Sequence, residues 1–158
     1  MRQIGAALSL YTDSFGKYPR EIASLRGNGL ADTQLLCPVD PVGGFGTRFQ
    51  ACFNRKASSA HKTSYETVFG WTDDMMDKLA QRDANFGVVA CRLHGDHTES
   101  FLRGLADFCR FGPFMFSGPL LRLRRDGSVE MATLTLPAME SVPGSKHAFS
   151  IFDLFVDR

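Results

Sequence analysis

The sequence lacks a long apolar run, because no stretch approaches the roughly 18 consecutive apolar residues that a membrane-spanning helix needs. It also lacks an excess of either charge: 18 Lys and Arg residues face 17 Asp and Glu residues, for a formal net charge of +1. This balance argues against a nucleic-acid binder that works through a basic face. It equally argues against a polybasic patch for a membrane surface.

Motifs of known enzymes are also missing. The sequence has no Gly-x-Ser-x-Gly elbow, no phosphate-binding loop and no His-Glu-x-x-His pair. Cys91 and His94 are a conceivable nucleophile and base, but side chains three residues apart at a strand end are expected to point in different directions. We therefore predict that the chain is not an enzyme.

The length of 158 residues, with 44% hydrophobic residues, predicts a single domain over 1–158. Its four cysteines have no zinc-knuckle spacing; they are Cys37, Cys52, Cys91 and Cys109. A Cys37–Cys52 disulfide would close a short loop, and a Cys91–Cys109 bridge is a further possibility. The alternative is four buried thiols.

The first eighteen residues form the clearest pattern in the chain. Apolar side chains recur at the helical period, at Ile4, Ala7, Leu8, Leu10 and Tyr11. Gly16 and Pro19 supply the stop signals. The pattern is already in phase at Met1 and has no capping residue before it, so we expect 1–18 to be the second half of a longer helix.

The remaining chain alternates predicted strands with short helices. Apolar alternation or continuous apolar runs predict strands over 48–54, 63–70, 87–93 and 148–156. Helical patterns predict short helices over 20–25, 72–82 and 98–109. Asp126-Gly127 predicts a β-hairpin over 120–136 with a primed two-residue turn. The predicted class is α+β, with the first helix packed on an antiparallel sheet and short helices inserted.

The hairpin carries a basic strand. Alternation places Leu121 and Leu123 on one face and Arg122 and Arg124 on the other. We predict that the arginines form a solvated face, or one that meets acidic residues of a neighbouring subunit.

A histidine cluster follows the predicted central strand. His94, Asp96 and His97, with Glu99 nearby, are residue types that bind zinc or another divalent ion. The alternative is a polar junction between strand and helix, in which Asp96 or Thr98 caps the following helix. A metal-binding or hydrolytic domain built on this cluster is therefore the second functional hypothesis.

Three segments of the chain resemble one known group of proteins, in the order in which that group carries them. They are Arg2-Gln-Ile-Gly-Ala-Ala-Leu-Ser-Leu-Tyr11 with Asp13 and Gly16-Lys-Tyr-Pro19, then Leu35-Leu-Cys-Pro-Val-Asp-Pro41, then Leu121-Arg-Leu-Arg-Arg-Asp-Gly-Ser-Val-Glu130. The ordered set is similar to type IV pilin-like proteins, above all to the major pseudopilin of type II secretion. The hairpin follows His94 by more than thirty residues, which implies an insertion over 96–118 relative to that group.

The resemblance implies a structural function. A pseudopilin assembles through its N-terminal helix into a short periplasmic fibre, with other pseudopilins and secretion-system components as partners and no nucleic acid. Family members carry a basic leader, a processing site and about twenty apolar residues ahead of the position of Arg2, so the membrane half of the helix would be missing here. On this helix we expect Ile4, Leu8 and Tyr11 to serve assembly, unless the subunit's own sheet uses that face.

The resemblance also raises the question of calcium. Major pseudopilins hold a calcium ion in a loop near the C-terminal sheet, but the motif has no residue-by-residue match here. The loop carboxylates suited to a hard cation are Asp40, Asp96 and Asp126. Ordinary turn-forming aspartates are the alternative, and no cofactor is expected.

The third hypothesis is an interaction module unrelated to pilins, whose first helix matches the family by chance.

Overall fold

A computed structural model describes residues 1–40, 43–44, 62–92, 118–134 and 154–156 of the chain. Within these ranges the fold combines helices with a four-stranded antiparallel sheet, which is the predicted α+β class. The strands follow one another in space in chain order, as a meander. Their buried apolar side chains belong to one hydrophobic cluster. No helix of the described part is long and apolar enough to cross a bilayer.

The first helix, α1, spans Arg2–Phe15 and ends as the sequence predicts. Gly16 takes the left-handed conformation at φ 67°, and its N–H donates to the carbonyl of Thr12. Gly5 lets the helix approach the sheet closely, because a methyl group there would lie 3.1 Å from Cδ1 of Leu123. Its buried side chains therefore pack on the Leu123 face of the sheet.

Two 3-10 helices connect α1 to the sheet. The first, Ile22–Asn28, confirms in part the short helix predicted over 20–25, and the second is Asp32–Leu35. The chain then runs alongside the residues that precede the first strand. The N–H of Ser64 donates to the carbonyl of Leu35 at 2.9 Å, and the N–H of Cys37 donates to Oγ of Ser64 at 2.8 Å.

The second α-helix, α2, spans Asp73–Arg82 as predicted. Thr72 caps it by accepting a hydrogen bond from the N–H of Met75. Asp73 and Asp74 lie in the first turn and Arg82 in the last, where each charge complements the helix dipole. Leu79 is fully buried, and Met76 and Ala80 pack partly against the core.

The sheet comprises β1 (Glu66–Thr67), β2 (Gly87–Cys91), β3 (Gly118–Arg124) and β4 (Val129–Leu134). The predicted central strand is confirmed, since β2 is buried throughout and pairs with both β1 and β3. The strand predicted over 63–70 is reduced to β1. Although 63–69 are all buried, their chain turns away after Thr67, where the ladder ends.

Two further sequence predictions lie outside the described residues, the strand over 48–54 and the helix over 98–109. Of the final strand predicted over 148–156, only 154–156 are described, and these form a turn rather than a strand. Apolar composition identified Leu154, Phe155 and Val156 as buried, but it could not distinguish a buried turn from a buried strand.

The β3–β4 hairpin is confirmed, whereas its predicted two-residue turn is wrong. The connection contains Arg125, Asp126 and Gly127, and the N–H of Gly127 donates to the carbonyl of Arg124. Only Gly127 of these three has a positive φ, at 83°. A primed two-residue turn would require Asp126 to have a positive φ as well, so a three-residue loop with a left-handed glycine forms instead.

Gly127→Ala is expected to lower the free energy of unfolding by about 1–2 kcal/mol, because alanine is strained at this φ. No other atom lies within 4 Å of the added methyl group, so backbone conformation alone accounts for the loss. Gly127→Asn is the control, since asparagine tolerates the left-handed region better. Chemical denaturation measures both; equal losses for Ala and Asn would argue against this explanation.

Candidate functional site

The residues of α1 predicted to serve assembly are used mainly inside the chain. Ile4 is 0% exposed and Leu8 is 7% exposed, because both pack in the hydrophobic cluster. Tyr11 is half-buried, and its ring centroid lies 4.5 Å from that of Phe15. The sequence analysis allowed for this outcome, since it expected an assembly role only where the chain's own fold leaves the face free. Here the chain's own core occupies most of the face.

The exposed surface of α1 consists of the side chains that the domain leaves in solvent: Arg2, Gln3, Ala6, Ser9, Leu10, Asp13, Ser14 and Phe15. Two of them are large and apolar, Leu10 at 55% exposed and Phe15 at 59% exposed. Leu10 projects away from the face that carries Ile4 and Leu8, since it lies two residues beyond Leu8 on a helix of 3.6 residues per turn. The helix thus offers apolar contacts outside its own domain.

The opposite face of the sheet is charged and buried. The strand register aligns Glu66, Ala90, Arg122 and Glu130 in a row across all four strands. Because side chains alternate along a strand, this row faces away from Leu123 and α1. We call this side, with its ionic side chains Glu66, Arg92, Arg122, Arg124 and Glu130, the charged face.

Glu66 and Arg92 form an ion pair in the interior. Glu66 is 0% exposed and Arg92 is 1% exposed. Nε of Arg92 donates to Oε2 of Glu66 at 3.0 Å, and Nη2 of Arg92 donates to Oε1. Burial raises the pKa of the Glu66 carboxyl, while the charge and hydrogen bonds of Arg92 act in the opposite direction. The two-pronged contact holds the short β1 to the end of β2.

The prediction of a solvated arginine face on β3 is wrong. Arg122 is 2% exposed, and the side chain of Arg124 is 11% exposed. Both donate to Oε1 of Glu130, at 3.0 Å and 2.8 Å, and Arg124 also donates to Oδ2 of Asp83 at 2.6 Å. These acids belong to the same chain, so the contacts join β3, β4 and the end of α2 within one domain.

The two described candidates for cation binding lie at opposite ends of the sheet. Asp40 accepts from the N–H groups of Gly43 and Gly44, at 3.0 Å and 2.8 Å, and from Oγ of Ser64 at 2.6 Å. These donors make Asp40 the organiser of its own loop.

Asp126 serves the hairpin connection in the same way. Its carboxylate accepts from the N–H of Ser128 at 2.9 Å and from Nδ2 of Asn85 at 2.9 Å. These hydrogen bonds, first that of Ser128, lower the pKa of Asp126. In the part of the chain that the structure describes, no three potential metal-ligating residues gather into a cluster. His94, Asp96 and His97 lie outside that part, and their metal-binding role stays a prediction.

Cys37 and Cys91 are buried, Cys37 beside Ser64 and Cys91 on β2. Cys52 and Cys109 lie outside the described residues, so the Cys37–Cys52 and Cys91–Cys109 pairings stay predictions.

The sequence analysis missed the residues that organise the charged face. Glu66 and Arg92 are separated by 26 positions, and Arg124 and Asp83 by 41. One available signal was a single charged residue in each of two otherwise uncharged predicted strands, Glu66 in 63–70 and Arg92 in 87–93. The described residues thus provide a sheet whose buried charges are paired within the chain and one helix with exposed apolar side chains.

Comparisons with protein-family models, curated proteins and solved structures find no match to this chain.

Proposed function

We propose that this chain is the head domain of a pilin-like structural subunit, a pseudopilin of a type II secretion system or of a related type IV pilus-like system. In this proposal the subunit assembles with other pseudopilins into a fibre and is anchored in the bacterial inner membrane through a segment ahead of α1. The head domain lies in the periplasm. The subunit performs no catalysis.

The main support for the proposal is that α1 has one buried apolar side and a second apolar side that is exposed. One side of the helix is buried in the domain's own hydrophobic cluster through Ile4 and Leu8, and another side exposes Leu10. A helix used in this way joins its own domain to a neighbour, because burying Leu10 between subunits would remove apolar surface from water. The ordered sequence resemblance, from Arg2 to Glu130, supports the same assignment.

The sheet supports a scaffolding function as well. In the described part of the chain, the paired charges of Arg92 with Glu66 and of Arg124 with Asp83 satisfy one another. We expect these buried pairs to favour a single arrangement of the strands and α2. A fibre subunit needs a head of fixed shape, because small errors in one subunit accumulate along an assembly.

Site-specific photo-crosslinking tests the proposal in the natural host with the complete gene. With p-benzoylphenylalanine at Leu10, we expect a ladder of crosslinked multimers of the subunit. The matched control places the same amino acid at Asp77, which is exposed on α2, and we expect no ladder there. Absence of Leu10-dependent multimers in a stably expressed protein would contradict the proposal.

The coding sequence upstream of Met1 provides an independent test. The proposal requires a basic leader, a prepilin-type processing site and about twenty apolar residues in phase with α1. A different upstream sequence would favour the interaction module unrelated to pilins.

A further inference from the structure

Three consecutive backbone carbonyl groups near the C-terminus bind to one place on the charged face. Nε of Arg122 donates to the carbonyl of Leu154 at 2.9 Å, and Nη2 of Arg122 donates to that of Val156 at 3.2 Å. Between them, the N–H of Gly87 donates to the carbonyl of Phe155 at 2.6 Å. A guanidinium and one backbone amide thus hold a whole turn of chain.

Gly87 makes this arrangement possible. A methyl group at this position would lie 2.4 Å from Cγ and 2.5 Å from Cδ of Arg122, and 3.3 Å from the carbonyl oxygen of Phe155. The alkyl part of the Arg122 side chain therefore passes directly over Gly87, and the carbonyl of Phe155 can reach the N–H of Gly87. Glu130 fixes the guanidinium from the other side, by accepting from Nη1 at 3.0 Å.

The polar part of this contact involves backbone atoms of 154–156, whereas the side chains add apolar burial. The ring of Phe155 meets Trp71 edge-on, with centroids 5.4 Å apart and planes at 85°. All three residues are almost fully buried. Segment 154–156 therefore covers Arg122 without being a strand of the sheet.

We propose that Gly87 and Arg122 form a receptor for consecutive backbone carbonyl groups, and that 154–156 occupy it as a clasp that opens while the sheet stays folded. The ladder between β2 and β3 and that between β3 and β4 are formed by the strands themselves. Opening the clasp breaks the three contacts to 154–156 and leaves both ladders intact. Local opening of short segments of this kind requires less free energy than global unfolding.

The amide of Gly87 reports on the clasp, because its hydrogen-bond acceptor belongs to 154–156. Hydrogen exchange of the full chain, followed by NMR in increasing denaturant below the unfolding transition, compares Gly87 with the amides of β3 and β4. We expect exchange at Gly87 to depend less steeply on denaturant than exchange in β3 and β4, because opening 154–156 exposes less surface than global unfolding. A dependence as steep as that of the β3–β4 amides would overturn the proposal.

Arg122→Lys provides the second measurement. Lysine keeps the positive charge but cannot present the planar fork that spans two carbonyls. We expect exchange at Gly87 to accelerate by about tenfold or more relative to the β3–β4 amides, for the loss of a charged hydrogen bond. Unchanged exchange at Gly87, or equal acceleration throughout the sheet, would overturn the proposal.

Glu130→Gln is the matched control for Arg122→Lys. It removes an ionic partner of Arg122 and leaves the donors to Leu154 and Val156 in place. In this variant, hydrogen exchange at Gly87 should accelerate relative to the β3–β4 amides by much less than it does in Arg122→Lys. Equal acceleration in both variants would show that loss of charge pairing, rather than of the carbonyl contacts, releases 154–156, and would overturn the role of the receptor.

Discussion

Glu66→Leu is expected to lower the free energy of unfolding by about 3–5 kcal/mol, because it removes the buried carboxylate that binds Arg92 in two places. Arg92 is 1% exposed, so in this variant its guanidinium would lie in the interior beside an apolar side chain. The variant must therefore keep the guanidinium inside without this carboxylate, admit water or rearrange the end of β2. Urea denaturation followed by circular dichroism measures the loss.

Arg92→Met, the complementary change, is expected to cost less. Glu66 can become neutral when its partner is removed, since burial already raises the pKa of its carboxyl and Arg92 was opposing that effect. The pKa of Glu66 in the folded variant then rises further. Stability of Arg92→Met should be greatest below the unfolded-state pKa of about 4.3, and should fall as the pH rises toward the raised pKa of the folded state.

The double variant Glu66→Leu/Arg92→Met completes a double-mutant cycle, which measures how strongly the two residues interact. Replacing both ions by apolar side chains removes this buried pair as a whole, so we expect the double variant to be more stable than Glu66→Leu alone. If the loss of unfolding free energy in the double variant equalled the sum of the losses in the two single variants, Glu66 and Arg92 would not interact in solution. A pH-independent Arg92→Met would contradict the assigned behaviour of the Glu66 carboxyl.

Gly87→Ala is expected to lower the free energy of unfolding by about 1–3 kcal/mol, because the core around it is already filled. The added methyl group would meet Cγ and Cδ of Arg122 well inside contact distance. These atoms are the stem of a buried side chain whose far end is bound to Glu130 and to 154–156, so they cannot simply move aside. Chemical denaturation measures the loss in the full chain.

Gly27→Ala is the matched control for Gly87→Ala. Gly27 lies in the first 3-10 helix, and no other atom lies within 4 Å of a methyl group built there. Its φ is not positive, so alanine is not strained. We expect a change of about +0.4 to +1 kcal/mol in stability, because alanine restricts the unfolded chain. A loss similar to that of Gly87→Ala would show that steric conflict with Arg122 is not the cause.

Local signals in the sequence were sufficient to predict the position of several helices and strands. Gly16 identified the end of α1, and Thr72 with its following acids identified the start of α2. The continuous apolar run after Gly87 identified the central strand, because strands buried on both faces have little alternation. Each of these decisions depends on residues within one or two turns of chain.

The errors concern partners that are distant in sequence. Alternation separated Arg122 and Arg124 from the leucines, but it could not reveal that 154–156 cover the arginine face. The same limitation applies to Ile4 and Leu8, since a helical stripe has the same appearance whether it meets its own sheet or another subunit. The turn type was missed because Asp126-Gly127 also fits a three-residue connection.

The unequal faces of the sheet have a consequence for how the chain finds its fold. If β3 paired with its neighbours one residue out of step, every side chain would change sides. Arg122 would then lie under α1, where Gly5 leaves room only for Leu123, and Leu123 would lie among the carboxylates. The buried ions thus penalise the mispaired hairpin far more than apolar residues would. They therefore favour the observed alignment of β3 with its neighbours.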